Sequence, residues 1–548
     1  MIDHELHSAA FPRLDAAQIA KLGACAGAVL QRHADGQKLF EAGDRDFKFF
    51  VIKSGEIEIV DESVEPAETV VVLGPGEFTG DVAHLTGRRA VVSAVARGGC
   101  EAYEVSNATL REILGQCPDL SDIILRAFIA RRELLRTSGF TGLRVIGSRY
   151  SQDTFRIRDF LAKNRLLFTW LDLETDPQVG ELLQRFGVTP AETPVVFWGS
   201  KLFLRNPSNA ELAEALGVNE PLDHPVYDLV IVGGGPAGLA AAVYGASEGL
   251  DTLVLERVAP GGQAGRSMRI ENYLGFPMGL TGAELADRAV LQANKFGARL
   301  PVPTPVARLT FVNSYPVLQL EDGQSVTAKC LLIASGAEYR RLPAEGCERY
   351  EGRGVYYAAT PNEATLCRGA EVVVVGGGNS AGQAAVFMSG QARKVNLVIR
   401  GNDLNKNMSS YLVHRIERTP NVEILCNTTV ERMSGGDHLA SIELLDSKSG
   451  ERRTLETPAV FSFIGATPRT EWLPPEIECD AKGFVRTGAS LASSPHWTAK
   501  RQPFLLETSR RGVFAAGDVR ADSVKRVASA VGEGSMAVQF VHEFLKER

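Results

Sequence analysis

Tyr227-Asp-Leu-Val-Ile-Val-Gly233-Gly-Gly235-Pro236-Ala237-Gly238 is the stretch that decides the fold. Six residues of buried-strand character run into a G-x-G-x-x-G turn, and helix formers Leu239–Tyr244 follow. The first glycine allows a tight turn, the second lets backbone approach a pyrophosphate, and the third lets helix pack on strand. The helix N-terminus then faces the phosphates. A second strand, Asp251–Leu255, ends in Glu256, eighteen residues past Gly238, where a carboxylate can accept from a ribose hydroxyl. Glycine spacing alone is weak evidence, but strand, turn, helix, strand and acid in this order predict a dinucleotide fold.

The pattern recurs further on. Glu371–Val375 leads into Gly376-Gly-Gly378-Asn379-Ser380-Ala381, and the next strand, Val395–Ile399, ends in Arg400 without an acid. An Arg there suits a 2′-phosphate and so NADPH, the other reading being a solvated charge at a strand end. Two dinucleotide folds in one chain imply hydride transfer between a nicotinamide and a flavin. Strands alternate with helical patterns from Val226 onward, so the sheets are predicted parallel and covered on both faces.

Upstream the character changes. The first ~138 residues read as antiparallel β, with short strands at Phe49–Ile52, Ile57–Val60, Thr69–Leu73, Ala90–Val95 and Ala102–Val105. A helix follows through Leu120, Ile124, Phe128 and Leu134. Residues 143–216 then read β-α-β-α-β: Arg144–Ile146, Thr154–Lys163, Leu166–Leu173, Val179–Phe186 and a strand from Pro194. The proline-flanked run 219–225 reads as a linker.

Composition sets the outer limits. At roughly 150 residues per domain, 548 residues make three or four domains. The chain is 44% hydrophobic and 23% charged, the balance of a globular protein rather than a disordered one. A net charge of −7 argues against a nucleic-acid or membrane-surface partner, and no apolar run reaches the roughly 18 residues of a membrane helix. The start, with early acids and no apolar core, is not a secretory signal, so a cytoplasmic location is expected. Eight cysteines lie far apart with no C-x-x-C or His/Cys cluster, which predicts neither a disulfide scaffold nor a metal site.

Residues 226–548 resemble the low-molecular-weight thioredoxin reductases within the pyridine-nucleotide disulfide oxidoreductases. The motifs are Gly233–Gly238, Gly261-Gly262-Gln263, Ile270-Glu-Asn272-Tyr-Leu-Gly275-Phe-Pro277, Ala334-Ser335-Gly336, Gly376–Ala381, Ile464-Gly465-Ala-Thr-Pro468 and Gly512-Val-Phe-Ala-Ala-Gly517-Asp518. The resemblance implies an FAD domain split into 226–345 and 460–548, an NADPH domain at 350–458, and a homodimer. It implies that Asp518 bonds the ribityl–phosphate region, that Gln263 and Asn272 line the flavin, and that Lys525, Arg526 and Val527 cap its ring. On the NADPH side it points to Arg400 with Lys406 as helper.

One departure is chemical. Where the resemblance calls for a C-x-x-C before the NADPH strand, the chain reads Ala358-Ala359-Thr360-Pro361. Thiol–disulfide exchange needs a thiolate, which neither Ala nor Pro supplies. The nearest thiol, Cys367, has no neighbouring second cysteine. Residues 139–218 resemble the thioredoxin/glutaredoxin fold through their element order and Glu192-Thr193-Pro194-Val195-Val196, and here too the dithiol place reads Ser151-Gln152-Asp153-Thr154. Ser151 and Asp153 are expected to act as helix caps.

Residues 1–138 resemble the cyclic-nucleotide-binding domain. Gly80-Asp81 and Arg88-Arg89-Ala90 stand where its phosphate-binding cassette would be, without the usual proline and with Asp for Glu. Arg89 would pair with the cyclic phosphate; the other reading is a β-roll used for packing.

The expectation is therefore a multidomain protein: a β-roll, a small α/β unit, and two Rossmann-like α/β domains. Its reading is an FAD-dependent, NADPH-linked oxidoreductase delivering electrons to an acceptor other than its own dithiol, either a small molecule or a protein. Two alternatives stay open: a cyclic-nucleotide- and flavin-binding sensor with little turnover, and a thioredoxin-disulfide reductase using relocated thiols.

Overall fold

The computed structural model describes residues 2–25, 27–63, 66–137, 142–198, 202–219, 221–222, 224 and 226–547. Parts of the expected linker, namely Glu220, Asp223 and Pro225, and the boundary at 138–141 lie outside the described residues.

Strand Val226–Val232 is central to the first Rossmann-type sheet. It pairs in parallel with Thr252–Leu255 on one side and Ser325–Ile333 on the other. Its last four residues are all buried, as a strand covered on both faces requires. The sheet also takes Val513–Ala515, in parallel register Leu331↔Val513 to Ile333↔Ala515. Two segments about 180 residues apart thus share one core, closed by helices Pro236–Ser247 and Val527–Lys546.

Between those segments lies the second Rossmann-type sheet. Its parallel order is Val355–Tyr356, Val460–Ser462, Glu371–Val375, Lys394–Val398, Val422–Leu425. The chain leaves the first unit along Ala337–Tyr339 and returns along Ala466–Pro468, two short strands paired antiparallel.

The N-terminal sheet is antiparallel, with Val29–His33, Ser93–Val105, Phe49–Asp61 and Glu68–Leu73 in that order. Here the sequence reading is corrected. Phe49–Ile52 and Ile57–Val60 are one strand, and Ala102–Val105 is the end of Ser93–Val105, which begins at Ser93 rather than Ala90. A glycine stands at the irregularity where the two read strands join. Gly55 has φ +80°, and a Cβ on it would lie 2.3 Å from the Gly99 carbonyl oxygen of the facing strand.

The middle unit is a four-stranded sheet in the order Phe168–Asp172, Leu143–Gly147, Val195–Trp198, Leu202–Arg205. The first pair is parallel and the other two antiparallel. Leu202–Arg205 and helix Asn209–Ala215 extend the β-α-β-α-β order read from sequence. Among the described residues no helix is long and apolar enough to cross a membrane, and no group of His, Cys, Asp or Glu could hold a metal ion.

Candidate functional site

Each glycine of the first turn has a distinct reason in the structure. Gly233 has φ +108°, and a Cβ there would lie 2.3 Å from the Ala334 carbonyl oxygen. Gly238 sits on the helix so close to the strand that a Cβ would be 1.9 Å from the Gly233 oxygen. At Gly235 the nearest atom to an added Cβ is Gly262 Cα at 3.9 Å, so this position faces an open cradle. The cradle's other wall is the Gly261–Gly262 loop, held by Gly261 N–H donating to the Gly234 carbonyl at 2.7 Å. Glu256 closes the end, its carboxylate accepting from Gly234 N at 2.7 Å and Val258 N at 2.9 Å. Pro236 and Ala237 open the helix.

The second turn repeats the plan. Gly376 has φ +142°, with an added Cβ 2.6 Å from the Phe463 oxygen, whereas a Cβ on Gly378 would meet nothing within 4 Å. Ala381 is fully buried. Asn379 faces sideways, its amide donating to Ser409 Oγ at 3.0 Å and accepting from Ser409 N at 2.7 Å. Arg400 is exposed and makes no hydrogen bond or ion pair among the described residues. Lys406 is also exposed and donates to Asn402 Oδ1 at 2.9 Å. Gly465, beside Ile464, accepts at its carbonyl from Arg340 N at 2.9 Å, tying the two linking strands together.

Both units border one cleft of about 40 Å³, lined by Gln263, Arg266 and Tyr339 on one side and by Tyr357, Ala358, Ser380 and Phe463 on the other. Gln263 Oε1 is buried there with no hydrogen-bond partner among the described residues. Tyr339 reaches across to donate its hydroxyl to Ser380 Oγ at 2.8 Å and stands edge-on to Phe463 at 5.3 Å. Burial pushes the Tyr339 phenol up, so it stays a donor at neutral pH. A second tie between the units is the bidentate pair of Arg415 with Glu271, at 2.8 and 3.2 Å. Sequence reading gave no role to Tyr339, Arg266 or this pair; of them only Glu271 falls inside a quoted motif.

Asp518 follows Gly517 (φ +77°), whose N–H donates to Glu533 Oε2 at 2.7 Å. Burial pushes the Asp518 carboxyl up, and Lys525 pulls it back. Lys525 folds onto the Asp518 carbonyl oxygen at 2.6 Å, while Arg526 and Val527 are the N-cap and first residue of the last long helix. Ala334, Ser335 and Gly336 end strand Ser325–Ile333, with Ser335 Oγ donating to the Arg469 carbonyl at 2.7 Å. Asn272 is exposed in the loop before Gly275.

The profile of the pyridine nucleotide-disulphide oxidoreductases matches residues 227–534. The chain belongs to that family. Its similarity to thioredoxin reductases is close: 32% identity over 326 residues with that of Bacillus subtilis, spanning 59% of this chain and 96% of the relative. With that of Treponema pallidum the identity is 34% over 320 residues, spanning 58% and 97%. The solved structure of Lactococcus lactis thioredoxin reductase superposes with TM-score 0.53 at 29% identity, covering 59% of this chain and all of that one. The cyclic nucleotide-binding domain profile matches residues 30–117. The family's flavin and nicotinamide fit the residues present: two cradles that a Cβ on Gly235 or Gly378 would fill, and a buried amide oxygen at Gln263 awaiting a donor.

The segment 358–361, expected from the resemblance to hold a dithiol, borders the cleft in this oxidoreductase. Ala358 and buried Ala359 line the cleft, and Pro361 starts helix Pro361–Leu366. Cys367, at the end of that helix, is fully buried, and burial pushes its thiol up to about 12, Glu363 adding to it. Cys347 is buried and raised for the same first reason. The fold brings Cys25 and Cys117 against one another, but inside the N-terminal core.

At the N-terminal cassette, Asp81 Oδ1 accepts from Ala83 N at 2.9 Å, capping the short helix after Gly80. Arg89 Nη1 donates to the Gly43 carbonyl at 2.8 Å, next to buried Ala90, and its stem lies against Gly217 of the middle unit. Arg88 is half-buried facing Arg132, Arg165 and Asp287, and is pulled down to about 9 by burial and then by Arg132. Arg131, missed in the sequence, is buried and donates to the carbonyls of Ala10, Gly80 and Phe78 at 2.8, 2.5 and 2.8 Å, fixing the cassette's backbone.

Proposed function

We propose that the chain is an FAD-dependent, NADPH-linked oxidoreductase that passes electrons to an acceptor without a resident dithiol. The observation that carries this is the shared cleft: two open glycine cradles belong to sheets that meet at Gln263, Tyr339 and Ser380, with Ala358 where a thiol would stand. FAD is held by Gly233, Gly235, Pro236, Ala237, Gly238, Glu256, Gly262, Gln263, Asn272, Ala334–Gly336, Gly517, Asp518 and Lys525–Val527. NADPH is held by Gly376, Gly378–Ala381, Arg400, Ile464 and Gly465, with Lys406 nearby. When bound, the nicotinamide donates a hydride and the flavin stores two electrons. The chain's own part is to orient: Glu256 fixes the ribose end, the helix N-termini face the phosphates, and Tyr339 with Phe463 walls the cleft from water. Mixing purified protein with NADPH and following the visible flavin band tests this directly. Bleaching within seconds is expected, and a colourless protein that FAD cannot reconstitute would end the proposal.

Arg400 is the specificity residue of this reading. Its guanidinium is exposed and has no partner among the described residues, and a 2′-phosphate would take it in a bidentate contact. Arg400→Glu is expected to lower the preference for NADPH over NADH by on the order of tenfold to a hundredfold. Equal bleaching rates with the two nucleotides in the wild type would show a surface charge only.

We further assign residues 143–216 to the thioredoxin/glutaredoxin fold without its thiols. Its sheet order supports this, as does Ser151, which caps helix Gln152–Lys163 by accepting from Thr154 N at 3.3 Å. For the N-terminal unit, a cyclic nucleotide would draw Arg89 off Gly43. Calorimetry with cAMP on the full chain is expected to give heat that Arg89→Ala weakens by about 10- to 100-fold. Heat that persists unchanged in Arg89→Ala would contradict the contact.

A further inference from the structure

We infer that the middle unit is a docked internal partner whose helix Gln152–Lys163 covers the segment 351–363 behind Ala358, so that a free acceptor protein is kept off that segment. This rests on the hydride-transfer reading above. The start of that helix is the place a redox-active thioredoxin-like module would present, and it is turned toward the segment that precedes Ala358. Gln152 Nε2 donates to the Glu351 carbonyl at 3.1 Å, and Phe155 packs on Tyr356 with ring centroids 5.7 Å apart. Phe155 also joins the apolar cluster that holds Ala359 and Cys367. Just outside the helix, Tyr150 stacks on His438 at 4.8 Å.

The far end of the same helix holds the other Rossmann-type unit. Asn164 donates to the Val258 carbonyl at 3.0 Å, and Arg165 pairs with Asp287 at 2.8 Å. Midway, Arg158 is buried, stacks on Trp170 at 3.6 Å and faces buried Glu363, in the helix that begins at Pro361. One helix thus spans both nucleotide-binding units and lies along the segment 351–363. A free protein of the same shape would have to displace it. A tethered module acts at an effective concentration near ~1 mM, so an outside protein at about 10 μM is held back roughly a hundredfold.

A thiol-labelling experiment tests the occlusion without either cofactor turning over. Ala358→Cys is placed in a background with Cys25, Cys426 and Cys479 changed to Ser. The introduced thiolate attacks either Ellman's reagent or a thioredoxin carrying one thionitrobenzoate mixed disulfide. In both cases one S–S bond forms, one breaks, and coloured thionitrobenzoate leaves. Adding Phe155→Asp is expected to raise the rate with the protein probe at least about tenfold and to change the rate with Ellman's reagent less than about twofold. Should Phe155→Asp fail to fold, the milder pair Tyr150→Ala and Gln152→Ala is expected to shift the same ratio in the same direction. Protein-probe rates unaffected by undocking, or both probes accelerating together, would overturn the inference. Flavin bleaching by NADPH is read separately, so failure of the hydride-transfer proposal is distinguishable from failure of this one.

Discussion

Gly238→Val is expected to abolish the folded protein, whereas Gly235→Val is expected to fold and come off the column colourless. The two glycines are three residues apart and serve opposite ends of one turn. At Gly238 a Cβ would lie 1.9 Å from the Gly233 oxygen, 3.1 Å from its carbon and 3.2 Å from Ile231 Cγ2. All but the last are backbone of the turn at the end of the strand the helix packs on, so relief means moving the helix off that turn. Overpacking against backbone belongs to the few changes that exceed about 4–5 kcal/mol, comparable to the whole stability of a domain. At Gly235 the backbone is extended at φ −76°, which valine adopts readily, and no atom lies within 3.9 Å of the new Cβ. Its effect on stability is expected within about 1 kcal/mol. Its methyls instead fill the space a pyrophosphate would take. Soluble yield and thermal unfolding separate the first variant from wild type, and the visible flavin spectrum separates the second. A yellow Gly235→Val protein would show that the cradle is not the flavin's.

Such positions were legible because each glycine's reason is local: a turn, an approach, a helix–strand contact, all within a dozen residues. The same logic failed in the N-terminal sheet. Gly55 and Gly99 punctuate the sequence as turn residues do, yet they face each other in a bulge between two long strands. Composition cannot tell a bulge from a turn, because both use the same backbone freedom. The cassette arginines mark a second limit. Sequence assigns Arg89 to a ligand phosphate, while its neighbours in the fold are Gly43 and Gly217. The latter contact depends on how two units pack, which no motif encodes. Tyr339 and Ser380 are of this kind too, a hydrogen bond joining a linking strand to helix Asn379–Ser389 of the second Rossmann-type unit. What the sequence carries across units on its own is the lack of any C-x-x-C, which no packing can supply.

That absence has a large expected effect: the wild type should not reduce thioredoxin at the ordinary enzyme rate of about 1–1000 per second, and removing its best-placed cysteines should change nothing. Cys347 and Cys367 are the thiols nearest in sequence to Ala358 and Pro361. Both are buried, and burial raises both. With Cys367 near 12, about one thiol in 10⁵ is ionised at pH 7, and only the thiolate attacks a disulfide. Raising the pH to 9 increases that fraction about a hundredfold yet leaves it near 0.1%, so alkaline conditions should not rescue the activity. A Cys347→Ser, Cys367→Ser double variant is therefore expected to bleach its flavin with NADPH as fast as the wild type. NADPH oxidation with thioredoxin and a disulfide dye, run on both proteins at the two pH values, is the measurement. Fast thioredoxin-dependent turnover that disappears in the double variant would mean that these thiols leave their buried sites during catalysis. The acceptor would then be a disulfide after all, and the docked middle unit would have to move aside in every cycle to let it in.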